Sequence, residues 1–288
     1  MNKPIVVGVD GSRSAVRAAL WAAQEAVDRG LPLRLVHACT ILAVYPPVLS
    51  SAPVSGELER EGQDWLAEAL QAVRDAEPGV DVSTHLCRDS AVALLIEESK
   101  NAELIVLGSR GLGGFTGLVV GSVAVALAAH GHCPIVVVRA EQDKQSGPVV
   151  VGVDGSPSSE AAVGFAFAEA SRLDVPLVAV HAWNDMSLYI KFSLPPYRVQ
   201  WLRVEEEQKR LLDERLAVWR DKCPDVAVEA VVTPDRPAAS LLDAARTAQL
   251  VVVGTRGRGG VTGMLLGSTS QALLHHAPCA VAVVGPDC

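Results

Sequence analysis

The 288-residue sequence contains no run of five or six like charges, no CxxC pair, and no apolar stretch near the ~18–20 residues of a membrane span. Each absence excludes something. The formal charge is −8 and lysine and arginine are scattered, so no nucleic-acid-binding surface is expected, although one basic pocket for a small anion is not excluded. Six dispersed cysteines, Cys39, Cys87, Cys133, Cys223, Cys279 and Cys288, fit reduced thiols in a cytoplasmic protein. The opening MNKPIVVGVDGS has neither the long apolar core nor the cleavage site of a secretory signal, so none is expected. There is no GxxxxGK[ST], and no lysine lies in either glycine-rich segment to bridge phosphates.

What is present is a repeat. PIVVGVDGSRSAVRAALWAAQEAVDRGLPLRLVHAC returns as PVVVGVDGSPSSEAAVGFAFAEASRLDVPLVAVHAW, and AELIVLGSRGLGGFTGLVVGSVAVAL returns as AQLVVVGTRGRGGVTGMLLGSTSQAL. The period is 144 residues early (Asp10 to Asp154) and 146 later (Gly108 to Gly254). Two copies of one domain, 1–140 and 148–288, joined by the polar segment 140–147, is the economical reading.

Within each half, short β-branched runs alternate with helical periodicity. In the first half strands are expected at 5–9, 33–37, 82–87, 104–107 and 135–138. Between them fall helices, the first capped by Ser12 or Ser14 with apolar positions Val16, Leu20, Ala23 and Val27. Further helices are expected around 58–76 (Trp65, Leu66, Ala69, Leu70, Val73), at 91–102, and after the glycine-rich loop. In the second half Ser156 precedes Pro157, an N-cap followed by proline at the first helical position. The fold class is therefore α/β: two tandem, doubly wound, parallel five-stranded sheets of Rossmann-like form.

Ligands in such sheets lie beyond the C-terminal strand ends. Two loops per half are prepared for that place. The first is Gly8-Val9-Asp10-Gly11-Ser12, repeated from Gly152 through Asp154 to Ser156. The second is Gly108-Ser109-Arg110-Gly111-Leu112-Gly113-Gly114, followed at a fixed distance by Gly121-Ser122-Val123. Its copy is Gly254-Thr255-Arg256-Gly257-Arg258-Gly259-Gly260, followed by Gly267-Ser268-Thr269. Gly108 and Gly111 are read as letting backbone approach a ligand without a Cβ in the way, so that Glu at Gly108 or Gly254 should abolish binding and leave the fold intact. Gly121 and Ser122 start a helix, whose free N–H groups and dipole favour an anion.

GxxG, nine residues, then G[ST], together with an N-terminal VGVDGS, resembles the universal stress protein family over nearly the whole chain. The resemblance implies an ATP-binding regulatory module of the stress response, with or without Mg2+, with sheet order 3-2-1-4-5 and pairing of domains through the last strand into a pseudo-dimer. Whole chains pairing as a homodimer, and further protein partners, are implied as well. It places Asp10 and Asp154 against adenosine, Ala38 and Ala182 against adenine, and the glycine-rich residues with Ser122 and Ser268 around ribose and phosphates. Many members carry Gly-x-Pro-Ala before the third helix. This chain has Asp235-Arg236-Pro237-Ala238 in the second half but Asp89-Ser90-Ala91-Val92 in the first.

Several residues keep two readings. Asp10 and Asp154 either contact a nucleotide or cap the following helix, and Arg110, Arg256 and Arg258 either neutralise phosphate or face solvent. Trp183, Tyr189, Tyr197 and Trp201, with Pro195 and Pro196, mark a loop that is a lid, a partner surface or packing over the sheet. The alternatives to a binding module are an enzyme that hydrolyses ATP slowly or transfers adenylate, and a pure scaffold in which the duplicated sheet forms a pseudo-dimer and nucleotide is incidental. Because both loops are complete, calorimetry should count close to two adenine nucleotides per chain. No binding at millimolar ATP would refute the functional reading.

Overall fold

Small residues decide how closely helices approach the sheet in this chain. The computed structural model describes residues 2–39, 52–111, 120–139, 146–183, 198–234, 236–258 and 266–288. The chain divides into two units, Met1–Ala140 and Glu141–Cys288. The first runs β1 (Ile5–Gly8), α1 (Arg13–Arg29), β2 (Leu33–Ala38), α2 (Ala52–Ala76), β3 (Val82–Cys87), α3 (Ala91–Ser99), β4 (Leu104–Gly108), α4 (Ser122–His130) and β5 (Ile135–Val138). The second runs β6 (Val149–Gly152), α5 (Pro157–Leu173), β7 (Leu177–Ala182), α6 (Arg198–Lys222), β8 (Val228–Thr233), α7 (Pro237–Ala244), β9 (Leu250–Gly254), α8 (Ser268–His276) and β10 (Ala280–Val284).

Within each unit the described strand pairs are parallel. In the first unit β1 lies between β2 and β4, with β3 beyond β2 and β5 beyond β4, the order 3-2-1-4-5. In the second, β6 lies likewise between β7 and β9, with β8 and β10 outside them. Central strands β1, β4, β6 and β9 are apolar on both faces, as a sheet covered on both sides requires. The order reverses between β1 and β4, and again between β6 and β9, so each unit has a crevice at its C-terminal strand ends.

Ser12 caps α1, accepting from Ala15 N, and Gly30 ends it at φ 62°. The buried face of α1 is the alanine stripe Ala15, Ala18, Ala19, Ala22, Ala23 and Ala26. This corrects the sequence reading: Val16 and Leu20 flank the stripe and Val27 is 44% exposed. Alanines bring the helix backbone down onto the sheet, and the larger side chains then fill its margins. In α2 the expected face holds, with Leu66, Ala69 and Val73 buried. Ser156 caps α5 with Pro157 following, and Phe167 of α5 is fully buried and stacked on Trp219 of α6. Among the described residues, no helix is long and apolar enough to cross a membrane.

Candidate functional site

Each unit carries a cavity at its sheet reversal, of about 460 Å³ in the first and 600 Å³ in the second. Its floor is the turn after the first strand. In that turn Ser12 N–H donates to Asp10 Oδ1 at 3.1 Å, and Gly11 takes φ 79° to swing the chain into α1. Ser156 N–H donates to Asp154 Oδ1 at 2.9 Å, and Gly155 takes φ 75°. The Trp65 indole lies against Gly11, whereas the Arg215 guanidinium, paired with Glu160 at 2.8 Å, lies against Gly155.

The same turn grips the glycine-rich loop. Ser12 Oγ donates to the Arg110 carbonyl at 3.1 Å, and Ser14 Oγ donates to that carbonyl too. In the second unit Ser156 and Ser158 donate to the Arg256 carbonyl at 3.1 and 2.5 Å. Gly108 and Gly254 make this possible. A Cβ on Gly108 would stand 2.6 Å from the Ser14 carbonyl carbon, and one on Gly254 2.7 Å from that of Ser158. These glycines admit the first turn of the helix as well as lining the cavity. Glu at either position would disturb the fold along with the site.

Gly111 and Gly257 leave room for a carboxylate: a Cβ on either would strike Asp10 Oδ2 or Asp154 Oδ2. Asp154 Oδ2 also accepts from Arg258 N–H at 3.0 Å. Both aspartates thus organise backbone at the cavity wall.

The remaining wall is a helix start. Gly121 N–H closes on the Ser109 carbonyl at 3.3 Å and Gly267 N–H on that of Thr255 at 2.8 Å. Helices α4 and α8 then begin with no side chain capping them, as does α7, whereas α1, α3 and α5 are capped by Ser12, Ser90 and Ser156. No Cβ would meet anything within 4 Å of Gly121.

Of the expected residues, Gly8, Asp10, Ala38, Gly108, Arg110, Gly111, Gly121, Ser122 and Val123 line the first cavity. Gly152, Asp154, Ala182, Gly254, Arg256, Gly257, Arg258, Gly267, Ser268 and Thr269 line the second. Ser109 and Thr255 are not among the lining residues. Their N–H groups bond Val138 O and Val284 O, tying the loop to the neighbouring strand. Leu112, Gly113, Gly114, Gly259 and Gly260 lie outside the described residues, as do Asp235, Tyr189, Pro195, Pro196, Tyr197 and the side chain of Trp201.

The unanticipated lining is of two kinds. Leu94 and Leu95 of α3, and Pro237 and Leu241 of α7, form an apolar wall. At the β2 and β7 ends, Nδ1 of His37 and of His181 face Val9 O and Val153 O at 2.7 and 2.6 Å. Trp183 and Gln208 join the second cavity. A signal for the serine clamp was available, since GSxS recurs as Ser12/Ser14 and Ser156/Ser158. Gln208 had none, because its counterpart in the first half is Gly62.

The model of the Universal stress protein family matches residues 1–139 and again 146–285. A universal stress protein of Mycobacterium tuberculosis (strain H37Rv) is 41% identical over 296 residues, covering 98% of this chain and 99% of that protein. One from Mycolicibacterium smegmatis is 39% identical over 289 residues, covering 98% and 97%. The crystal structure of a universal stress protein from Archaeoglobus fulgidus aligns with TM-score 0.72 at 18% identity, over 98% of this chain and 96% of that one.

The two roles of glycine separate on substitution. Gly108→Ala forces a Cβ into Ser14 backbone and should lower stability by about 1–3 kcal/mol in urea unfolding. Gly121→Ala, at φ −68° in open space, should cost less than about 1 kcal/mol. Equal losses would contradict the assignment.

Proposed function

The chain belongs to the universal stress protein family, and from that premise we propose that each unit binds one ATP and serves as a nucleotide-dependent regulatory module of the stress response. The observation that carries the reading is the uncapped start of α4 and of α8, each opening into a cavity. Three or four N–H groups at a helix start have no partner within the helix. Where α1, α3 and α5 spend a serine on them, α4 and α8 present them to the cavity, an arrangement suited to phosphate oxygens. Ser122 and Ser268 add a hydroxyl each. The cavity volumes fall in the range of small-molecule sites.

The rest of the lining fits a nucleoside. Asp10 and Asp154 hold carboxylates between the phosphate loop and the β2 or β7 end, placed to accept from a ribose hydroxyl. Ala38 and Ala182 stand at that far end, beside the apolar wall. A Mg2+ ion, if present, would arrive with the phosphates and share their charge. Arg110 in the first unit, and Arg256 and Arg258 in the second, supply positive charge at the rim.

The arrangement is a holder more than a catalyst. Among the described residues no lysine lines either cavity. Backbone donors bind ground-state phosphate about as well as a transition state, and uniform binding does not raise turnover. Hydrolysis is therefore expected no faster than about 10⁻² s⁻¹, the scale of a slow GTPase with its own arginine.

Ser122→Asp and Ser268→Asp test the reading. A carboxylate in the first helical turn favours the helix dipole, so thermal stability without ligand should hold or rise slightly. The same charge repels phosphate, and ATP affinity of that site should fall at least about tenfold in calorimetry. Unchanged ATP binding in the double variant would refute the phosphate position. Phosphate release above about 1 s⁻¹ that disappears in the double variant would make the protein an enzyme.

A further inference from the structure

The two cavities differ most at the end away from the glycine-rich loop. In the second, Gln208 of α6 lines the cavity, its amide hydrogen-bonded to His181 with Nε2 3.1 Å from Oε1. The other ring nitrogen is fixed on Val153 O, so the ring and the amide are held together. In the first unit the 146-residue offset that relates Val82 to Val228 sets Gly62 opposite Gln208. A Cβ on Gly62 would stand 2.5 Å from His37 Cδ2, so the histidine ring packs where a side chain would start. His37 turns its ring edge-on to Trp65 instead, at 5.2 Å.

Resting on the nucleotide reading above, we infer that Gln208 is the base-discriminating residue of the second cavity, selecting adenine over guanine, and that the first cavity has no such residue. Position comes first. Strands β7, β6 and β9 are consecutive neighbours, so the β7 tip stands about 10 Å from the phosphate loop after β9, at about 4.8 Å per strand. That span suits a ribose with the base beyond it. Gln208, bonded to the residue preceding Ala182, stands at the base end.

Chemistry comes second. A carboxamide has two donor and two acceptor positions, and the bond to His181 uses one of them. Whichever one is used, at least one donor and one acceptor remain for the cavity. A donor beside an acceptor matches the N7 edge of adenine, where the 6-amino group lies next to N7. On that edge guanine presents O6 and N7, two acceptors, and one of them would face the amide oxygen. His181 is a positioning residue: it holds the amide and does not meet the base.

The test titrates the full chain with ATP and with GTP. Binding in each cavity is read by hydrogen–deuterium exchange of peptides spanning 120–130 and 266–276. The second cavity should be protected at ATP concentrations about tenfold or more below those of GTP. Q208A and Q208G should bring the two nucleotides near parity there, mainly by weakening ATP. Q208E, which keeps oxygen acceptors and loses the N–H donors, should do the same. All three should leave the first cavity's ratio unmoved. If the wild-type second cavity does not discriminate, or if correctly folded Q208A keeps the wild-type ratio, the assignment of Gln208 is overturned while nucleotide binding stands. If neither nucleotide protects either cavity, nucleotide binding itself fails and the assignment falls with it.

Discussion

The carbonyl of Arg110 receives two serine hydroxyls from the opposite loop, and the carbonyl of Arg256 receives the equivalent pair. Two loops about 100 residues apart in sequence are thereby fastened at one point. Without that fastening, the glycine-rich segment would be a long connection with little to fix it, and loops of that kind are ordinarily mobile. With it, the segment leaves the sheet at a set angle and re-enters as α4 or α8 with its N–H groups over the cavity. Ser12 and Ser156 also cap α1 and α5. One hydroxyl therefore satisfies the helix that begins the unit and fixes the loop that leads to the helix facing the cavity.

The glycines follow from the same constraint and divide by what each makes room for. Gly108 and Gly254 admit backbone of the serine-bearing turn, and Gly111 and Gly257 admit a carboxylate. Only Gly121, among these in the first unit, faces open space. A pattern that looks like one glycine-rich ligand loop thus also serves internal packing. Asp10 and Asp154 belong to both worlds: each accepts a backbone N–H and lines the cavity.

Much of this was legible in the residues. The repeat, the alternation of apolar runs with helical periodicity, the strand order implied by family resemblance and the helix starting at Ser122 and Ser268 all stand in the structure. Three things were not legible, for identifiable reasons. The buried stripe of α1 is made of alanines, and a search for large apolar residues at helical spacing finds the flanks instead. The role of Gly108 depends on what lies across from it, 94 residues earlier at Ser14, and glycine looks the same in sequence whichever neighbour it accommodates. Gln208 sits on a highly charged helix, where its chemistry is hidden among ordinary surface residues, and only the fold brings it to His181.

The two units are one design with unequal interiors. Both keep the serine clamp, the aspartate and the uncapped helix, and they differ in what covers the turn, Trp65 or Arg215, and in what stands at the β2 or β7 end. The central claim is that the clamp exists to hold a helix start toward an adenine nucleotide. Its most direct measurement is to precipitate the freshly purified protein with acid and identify and count the nucleotide released, before and after incubation with ATP. The account predicts adenine nucleotide, approaching two per chain after incubation. Protein that releases none and takes up none would contradict it.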